Sequence, residues 1–350
     1  MKHIAYIGTD SVRHSRGIYT VAVDSDSGKS EILSTAPSRD SGYLVLSPNG
    51  KYLYATVECM VYHGQARAAV AAYRVNEDHS LTYLNEQCSG GQLAAHIEIS
   101  PDGKTLFVSG YLTGNITIFP IREDGSIAPY SCILQDPIVD GAYPHIHCTK
   151  LSPDGRYLCA MEVGTGFVDL YELFSGNYQK VFSFPTGPVR PRHVTFGPDG
   201  DMLYVITEIS SEIYAFRYQP DQEEKLVRVQ TVCTVPEGFQ GMSFSAGIRF
   251  SPSGKLLAAS TRGPADGDAV MLFCMDDNGL LQMSQYLPTT GESPRDFNFT
   301  PDGNFILVGL QHSDRMAVYR VDADHAALTL VEDHLPVVAA SCVVFHPDPA

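Results

Sequence analysis

"IEISPDGKTLFVSGY", residues 97–111, consists of two apolar runs joined by Ser100-Pro101-Asp102-Gly103. The joint has the chemistry of a tight turn. Proline presets φ at the first central position, Asp tolerates the next, and glycine supplies a positive φ. Strand-like runs on both sides make the stretch a β-hairpin. Five further copies follow the same plan: LVLSPNGKYLYATVE (44–58), TKLSPDGRYLCAMEV (149–163), VTFGPDGDMLYVITE (194–208), IRFSPSGKLLAASTR (248–262) and FNFTPDGNFILVGLQ (297–311). Their prolines, Pro48, Pro101, Pro153, Pro198, Pro252 and Pro301, recur every 45 to 54 residues.

A third strand follows each hairpin, as in GNITIFPI (114–121), GFVDLYEL (166–173) or DRMAVYRV (314–321). A weaker fourth comes next, as in LVRVQTVC (226–233) or LTLVEDHL (328–335). Four antiparallel strands at this period are one blade of a β-propeller. The chain ends supply the remaining blade. CVVFHPDPA (342–350) reads as a first strand and turn, and MKHIAYIGTD (1–10) as a second strand. Residues 12–36 then give strands three and four. The expectation is an all-β, seven-bladed propeller forming a single domain over residues 1–350. Residues 341–350 with 1–36 close the ring, and no amphipathic helix is expected. The absence of tryptophan argues against the Trp-Asp repeat form of the fold.

Composition narrows the function. Apolar residues make up 44% of the chain and charged residues 18%, which suits a large packed core. The net charge of −16 makes nucleic acid and anionic membranes poor partners. The eight cysteines are scattered singly with no Cys-x-x-Cys, which predicts reduced, mostly buried thiols. The N-terminal stretch lacks the long apolar core of a signal peptide or membrane span, so a cytoplasmic protein is expected. Nothing in the sequence requires a partner subunit; a monomer or weak oligomer is expected.

The repeat also supplies a register. Six residues before each proline stand Gly42, Ala95, His147, Arg192, Ala246, Arg295 and, counting Pro347, Ser341. One position later come His96, His193 and Asp296. Ten residues after the proline stand Glu58, Tyr111, Val163, Glu208, Arg262 and Gln311. In antiparallel hairpins both positions lie at the end away from the turn, so they ring one mouth of the central channel. Three arginines there, in an acidic protein, suggest an anion site. His145 and His147 form a His-x-His pair whose side chains share a strand face, a spacing that can chelate zinc with His193 or Glu208. The arginines in the same register oppose a dication, and no metal or organic cofactor is expected. Histidine near its own pKa suits a general base or hydrogen-bonding group instead.

Several short motifs in order, Tyr6-Ile7-Gly8-Thr9, Pro144-His145-Ile146-His147, Pro191-Arg192-His193, Thr261-Arg262-Gly263 and Pro294-Arg295-Asp296-Phe297, make the chain resemble the seven-bladed propeller lactonases. That family includes 6-phosphogluconolactonases and carboxy-cis,cis-muconate cyclase. The resemblance implies a catalytic group of His147, Arg192, Glu208 and Arg262. It implies a small anionic lactone as substrate, 6-phosphogluconolactone first, hydrolysed to 6-phosphogluconate. His147 or Glu208 would take the proton of water, and Arg192 and Arg262 would stabilise the oxyanion. His193, Arg295, Gln311, Glu58, His96 and His145 would bind substrate. A muconate-cyclising enzyme and a non-catalytic binding propeller are the alternatives. The sequence departs from the family pattern at Thr207, Thr261 and Leu310, where asparagine is common, and at Glu162-Val163-Gly164, where Asp-Leu-Gly is usual.

Overall fold

The computed structural model describes residues 1–10, 14–62, 65–174, 176–264 and 266–347, with the side chains of 58–67 and 174 outside the description. Seven four-stranded antiparallel sheets form a β-propeller. The closing blade joins Ala340–Phe345 to Lys2–Thr9, then Gly17–Asp24 and Ser30–Pro37. The ring therefore closes as the repeat predicts, and residues 348–350 of the expected closing segment lie outside the described residues. The only helix among the described residues is a 3-10 turn, Gln311–Ser313.

Each blade hairpin closes on the turn that the sequence encodes. In the 97–111 hairpin, Gly103 adopts φ +70° and its N–H donates to Ser100 O (2.9 Å). Ser100 Oγ donates to Asp102 Oδ1 (2.6 Å), which also accepts from Lys104 N (3.1 Å). The other turn glycines, Gly50, Gly155, Gly200, Gly254 and Gly303, share the positive φ that only glycine adopts cheaply. The turns also touch one another around the ring. A Cβ on Gly254 would meet Pro198 of the preceding blade at 2.8 Å, and one on Gly200 would meet Pro153 at 3.2 Å.

The inner three strands of a blade are buried on both faces, because neighbouring blades pack on each side. Tyr157–Glu162 is buried throughout. The outermost strand alternates exposed and half-buried residues, as in Asn177–Pro185, because its outer edge meets water. Between blades the core is aliphatic and aromatic, for example Val168 and Leu170 against Leu203, Val205 and Phe216. One expectation fails here. Of the cysteines with a described side chain, Cys148, Cys159 and Cys342 are buried, Cys132 is half-buried, and Cys88, Cys233 and Cys274 are exposed. The exposed three lie at the ends of third or fourth strands, where the sheet meets solvent.

The register at the channel mouth contains a feature that the repeat does not announce. In five of the blades the pairing of the first and second strands slips at the position six before the proline. The slips fall at Ala94/His96, Ile146/His147/Cys148, Pro191/His193, Ser245/Ile248 and Pro294/Asp296. The closing blade slips opposite Ser341. Ala95, His147, Arg192, Ala246, Arg295 and Ser341 are therefore bulge residues. A bulge leaves one residue unpaired and re-aims its side chain.

Candidate active site

The bulges build a cavity of about 290 Å³ at the mouth, lined in part by His147, Arg192, Arg295, Glu208, Tyr111 and Asp10. Arg192 is buried to 2% exposure. Its Nη1 donates to Ala246 O (2.7 Å), and its Nε stands 3.7 Å from Glu208 Oε1. Arg262 comes from the end of the second strand of the next blade and donates through Nη2 to the same Oε1 (2.9 Å). Glu208 thus bridges two guanidinium groups. Its carboxylate also lines an adjoining cavity of about 810 Å³, which Arg262 faces with Phe244 and Thr289. Arg262 reaches the mouth cavity through Glu208.

The electrostatics of the pair point to an anion. Burial is the main influence pushing the Arg192 pKa down; repulsion from Arg262 and Arg295 adds to it and outweighs the attraction of Glu208. Arg262 is pushed down to about 10, first by burial and then by Arg295. Guanidinium groups remain charged at neutral pH, so crowding raises the free energy of the empty site and an incoming anion relieves it. Nε of both arginines is buried without a hydrogen-bond partner. Arg295 makes no hydrogen bond to any described residue, which leaves its planar fork available to a ligand.

His147 is buried, and its pKa is pushed well below the ordinary value, first by burial and then by Arg192 and Arg295. The imidazole is therefore neutral at physiological pH. Its ring meets Tyr111 edge-on (5.7 Å between centroids) and lies 5.1 Å from the His193 ring. His145 does not line the cavity. It precedes the strand Ile146–Leu151, and the bulge removes the shared face expected of the His-x-His pair. Its ring stacks on Tyr111 (4.9 Å, 20°), and its Nδ1 is 2.8 Å from Tyr111 O. It buttresses the tyrosine that His147 abuts. No three His, Cys, Asp or Glu side chains among the described residues stand in an arrangement that could hold a metal ion.

Other residues predicted for the site fall elsewhere. His96 and His193 line a second cavity of about 330 Å³ with Tyr43, Lys150 and Arg249. The position after the bulge turns back into the channel, so these rings sit deeper than the mouth. Tyr43, His96 and His193 pack together there, with centroids 4.2 to 6.0 Å apart. Burial pushes both histidine pKa values well down. Gln311 is buried and donates to Asp10 Oδ2, so it supports a cavity residue and is not itself in the lining. Glu58 lies in the strand Tyr52–Tyr62, and its side chain is outside the described residues. Glu162, buried, accepts hydrogen bonds from Gly164 N (2.9 Å) and from Thr165 N and Oγ1, and organises the loop beside His145. Asp10 was not predicted. It stands one residue past Thr9, which corresponds to Glu58 in the repeat register; extending that register by one position would have found it.

The bulged strand ends of this propeller thus gather arginines, a carboxylate and a neutral histidine around one small cavity. The chain is a member of the family "Lactonase, 7-bladed beta-propeller", whose model matches residues 4–345. A Bacillus subtilis (strain 168) protein named 6-phosphogluconolactonase is 27% identical over 98% of each chain. A Formosa agariphila protein of the same name is 30% identical over 93% of this chain and 94% of its own. The solved structure of the Pseudomonas aeruginosa periplasmic gluconolactonase superposes with a TM-score of 0.90 at 26% identity, covering 100% of both chains.

Proposed function

We propose that this protein hydrolyses the lactone of a sugar acid, 6-phosphoglucono-1,5-lactone first among candidates, giving 6-phosphogluconate. The observation that carries this reading is the cavity of about 290 Å³ lined by Arg192, Glu208, Arg295 and neutral His147, with Arg262 tied to it through Glu208. Attack of water on the lactone carbonyl moves negative charge onto its oxygen. Donors fixed before the reaction stabilise that charge without reorganising, and Glu208 holds the two guanidinium groups in place for it. Neutral His147 hydrogen-bonds the reacting ester. Arg295 takes the phosphate, because a guanidinium fork matches phosphate oxygens.

The named relatives divide between the phosphorylated and the plain gluconolactone, so the test uses both. Purified protein is mixed with each freshly prepared lactone, and acid release is followed above the spontaneous rate. The expected result is faster turnover of the phosphorylated lactone, with Arg295→Ala removing that preference chiefly through KM. Release no faster than the spontaneous rate with either lactone overturns the reading.

A further inference from the structure

The mouth cavity holds a carboxylate that the reading above leaves without a task. Asp10 follows the strand Lys2–Thr9 at the seam where the two ends of the chain meet. Its N–H donates to Ala339 O (3.1 Å), and Gln311 Nε2 donates to its Oδ2. Ser341, the bulge residue of the closing blade, lies beside it, its Oγ 3.2 Å from Gly8 O and 3.0 Å from Gly42 O. The other oxygen has been given room. Gly42 is the one glycine at the bulge register, and a Cβ there would lie 3.1 Å from Asp10 Oδ1. The carboxylate is thus held on one oxygen, is spared a side chain at position 42 beside the other, and faces the cavity shared by His147, Arg192, Arg295 and Glu208.

We propose that Asp10 is the general base of the lactone hydrolysis proposed above, on which this inference rests. The water oxygen bonds to the carbonyl carbon, the carbonyl π pair moves onto oxygen, and the water proton passes to Asp10. The intermediate then collapses: the carbonyl re-forms, the ring C–O bond breaks, and the ring oxygen takes the proton back from Asp10. Lactone and water become the open hydroxy acid, and the carboxylate is regenerated. The surroundings suit the task. Burial is the main influence raising the Asp10 pKa and Asp40 adds to it, while Arg295, Ser341 and His312 oppose the rise. A carboxylate raised above its ordinary value is a stronger base and nearer to the working pH. His147, whose charged form is disfavoured, then serves as a neutral hydrogen-bonding partner, and Glu208 remains committed to the two arginines.

The test is the pH profile of kcat/KM for 6-phosphogluconolactone with wild type, Asp10→Asn and His147→Ala. In wild type, activity is expected to rise with pH through the Asp10 pKa, above the ordinary carboxylate value. Asp10→Asn keeps the shape and the Gln311 contact; it should lower kcat by about 10²–10⁴-fold, change KM little, and erase that limb. A raised carboxylate opposes folding once ionised, so the variant's Tm should be unchanged or higher, which separates lost chemistry from lost structure. Asp10→Asn with the wild-type kcat and limb overturns the assignment, as does loss of the limb in His147→Ala alone. An inactive wild type would instead sink the lactonase reading itself, and the wild-type trace shows which has failed.

Discussion

The two ends of the propeller obey different rules. At the turn end, six blades repeat one local solution, proline followed two residues on by a glycine at positive φ, most of them with an Asp or Asn side chain and a serine or threonine hydroxyl bonded within the turn. Most of the bonds within these turns come from a neighbour two to five residues away. At the mouth end, the blades share a backbone device, the bulge, but hang different side chains on it: Ala95, His147, Arg192, Ala246, Arg295 and Ser341. Partners come from other blades, and orphaned polar atoms gather, among them His147 Nδ1 and the Nε of Arg192 and Arg262. Repetition builds the scaffold, and departure from it builds the site. Strain and unmet hydrogen bonds belong at the end where a ligand is to be met.

This contrast can be broken by experiment. The largest effect is expected from the arginine pair. Arg192→Ala alone should reduce kcat by about 10²–10³-fold, the usual cost of one oxyanion donor, with the fold intact by circular dichroism. Cutting the bridge from the other side should affect stability as well. Glu208→Ala leaves Arg192 and Arg262 facing each other without their carboxylate, and should destabilise by about 1–3 kcal/mol in urea unfolding. That lies below the range for a fully buried pair because Glu208 is partly exposed.

A turn-end change should do the reverse. Gly254→Ala forces a side chain into φ +72° and against Pro198 at 2.8 Å, costing about 1–3 kcal/mol while kcat stays at the wild-type value. A turn variant that lost activity without losing stability would contradict the division.

The most diffuse effect, shared among several groups, is in acid stability. His96, His147 and His193 all have pKa values pushed well down by burial and by nearby cations. Between pH 6.5 and their folded values only the unfolded chain takes up these protons, so stability falls as pH drops below about 6.5. Each group contributes about 1.4 kcal/mol per pH unit. The turn carboxylate Asp102 acts with the same sign in a more acidic window. Its pKa is lowered first by the Ser100 hydroxyl, so its contribution persists until the pH falls through the ordinary carboxylate value and below. Unfolding followed from pH 7 to 5 should therefore show the histidine slope, and His193→Asn should make it shallower.

The turn end was legible because its information is local. Six Pro-Gly turns recurring every 45 to 54 residues define the hairpins, the blade count and the closing of the ring by both termini. The mouth was legible only as far as the register carries. Position six before the proline correctly brought His147, Arg192 and Arg295 to one cavity, although the bulge that turns them there leaves no mark in composition or alternation. The same bulge explains what the register misplaced: His96 and His193, one position later, turn into the deeper cavity, and His145 is separated from His147. Asp10 and its Gln311 clamp join residues 301 positions apart, a contact that no local pattern records.

The most direct measurement is the rate of acid release from fresh 6-phosphogluconolactone by wild type and by the Arg192→Ala/Arg262→Ala double variant, both confirmed folded. The mouth described here predicts turnover well above the spontaneous rate for wild type and only the spontaneous rate for the double variant. Equal hydrolysis by the two proteins would contradict it.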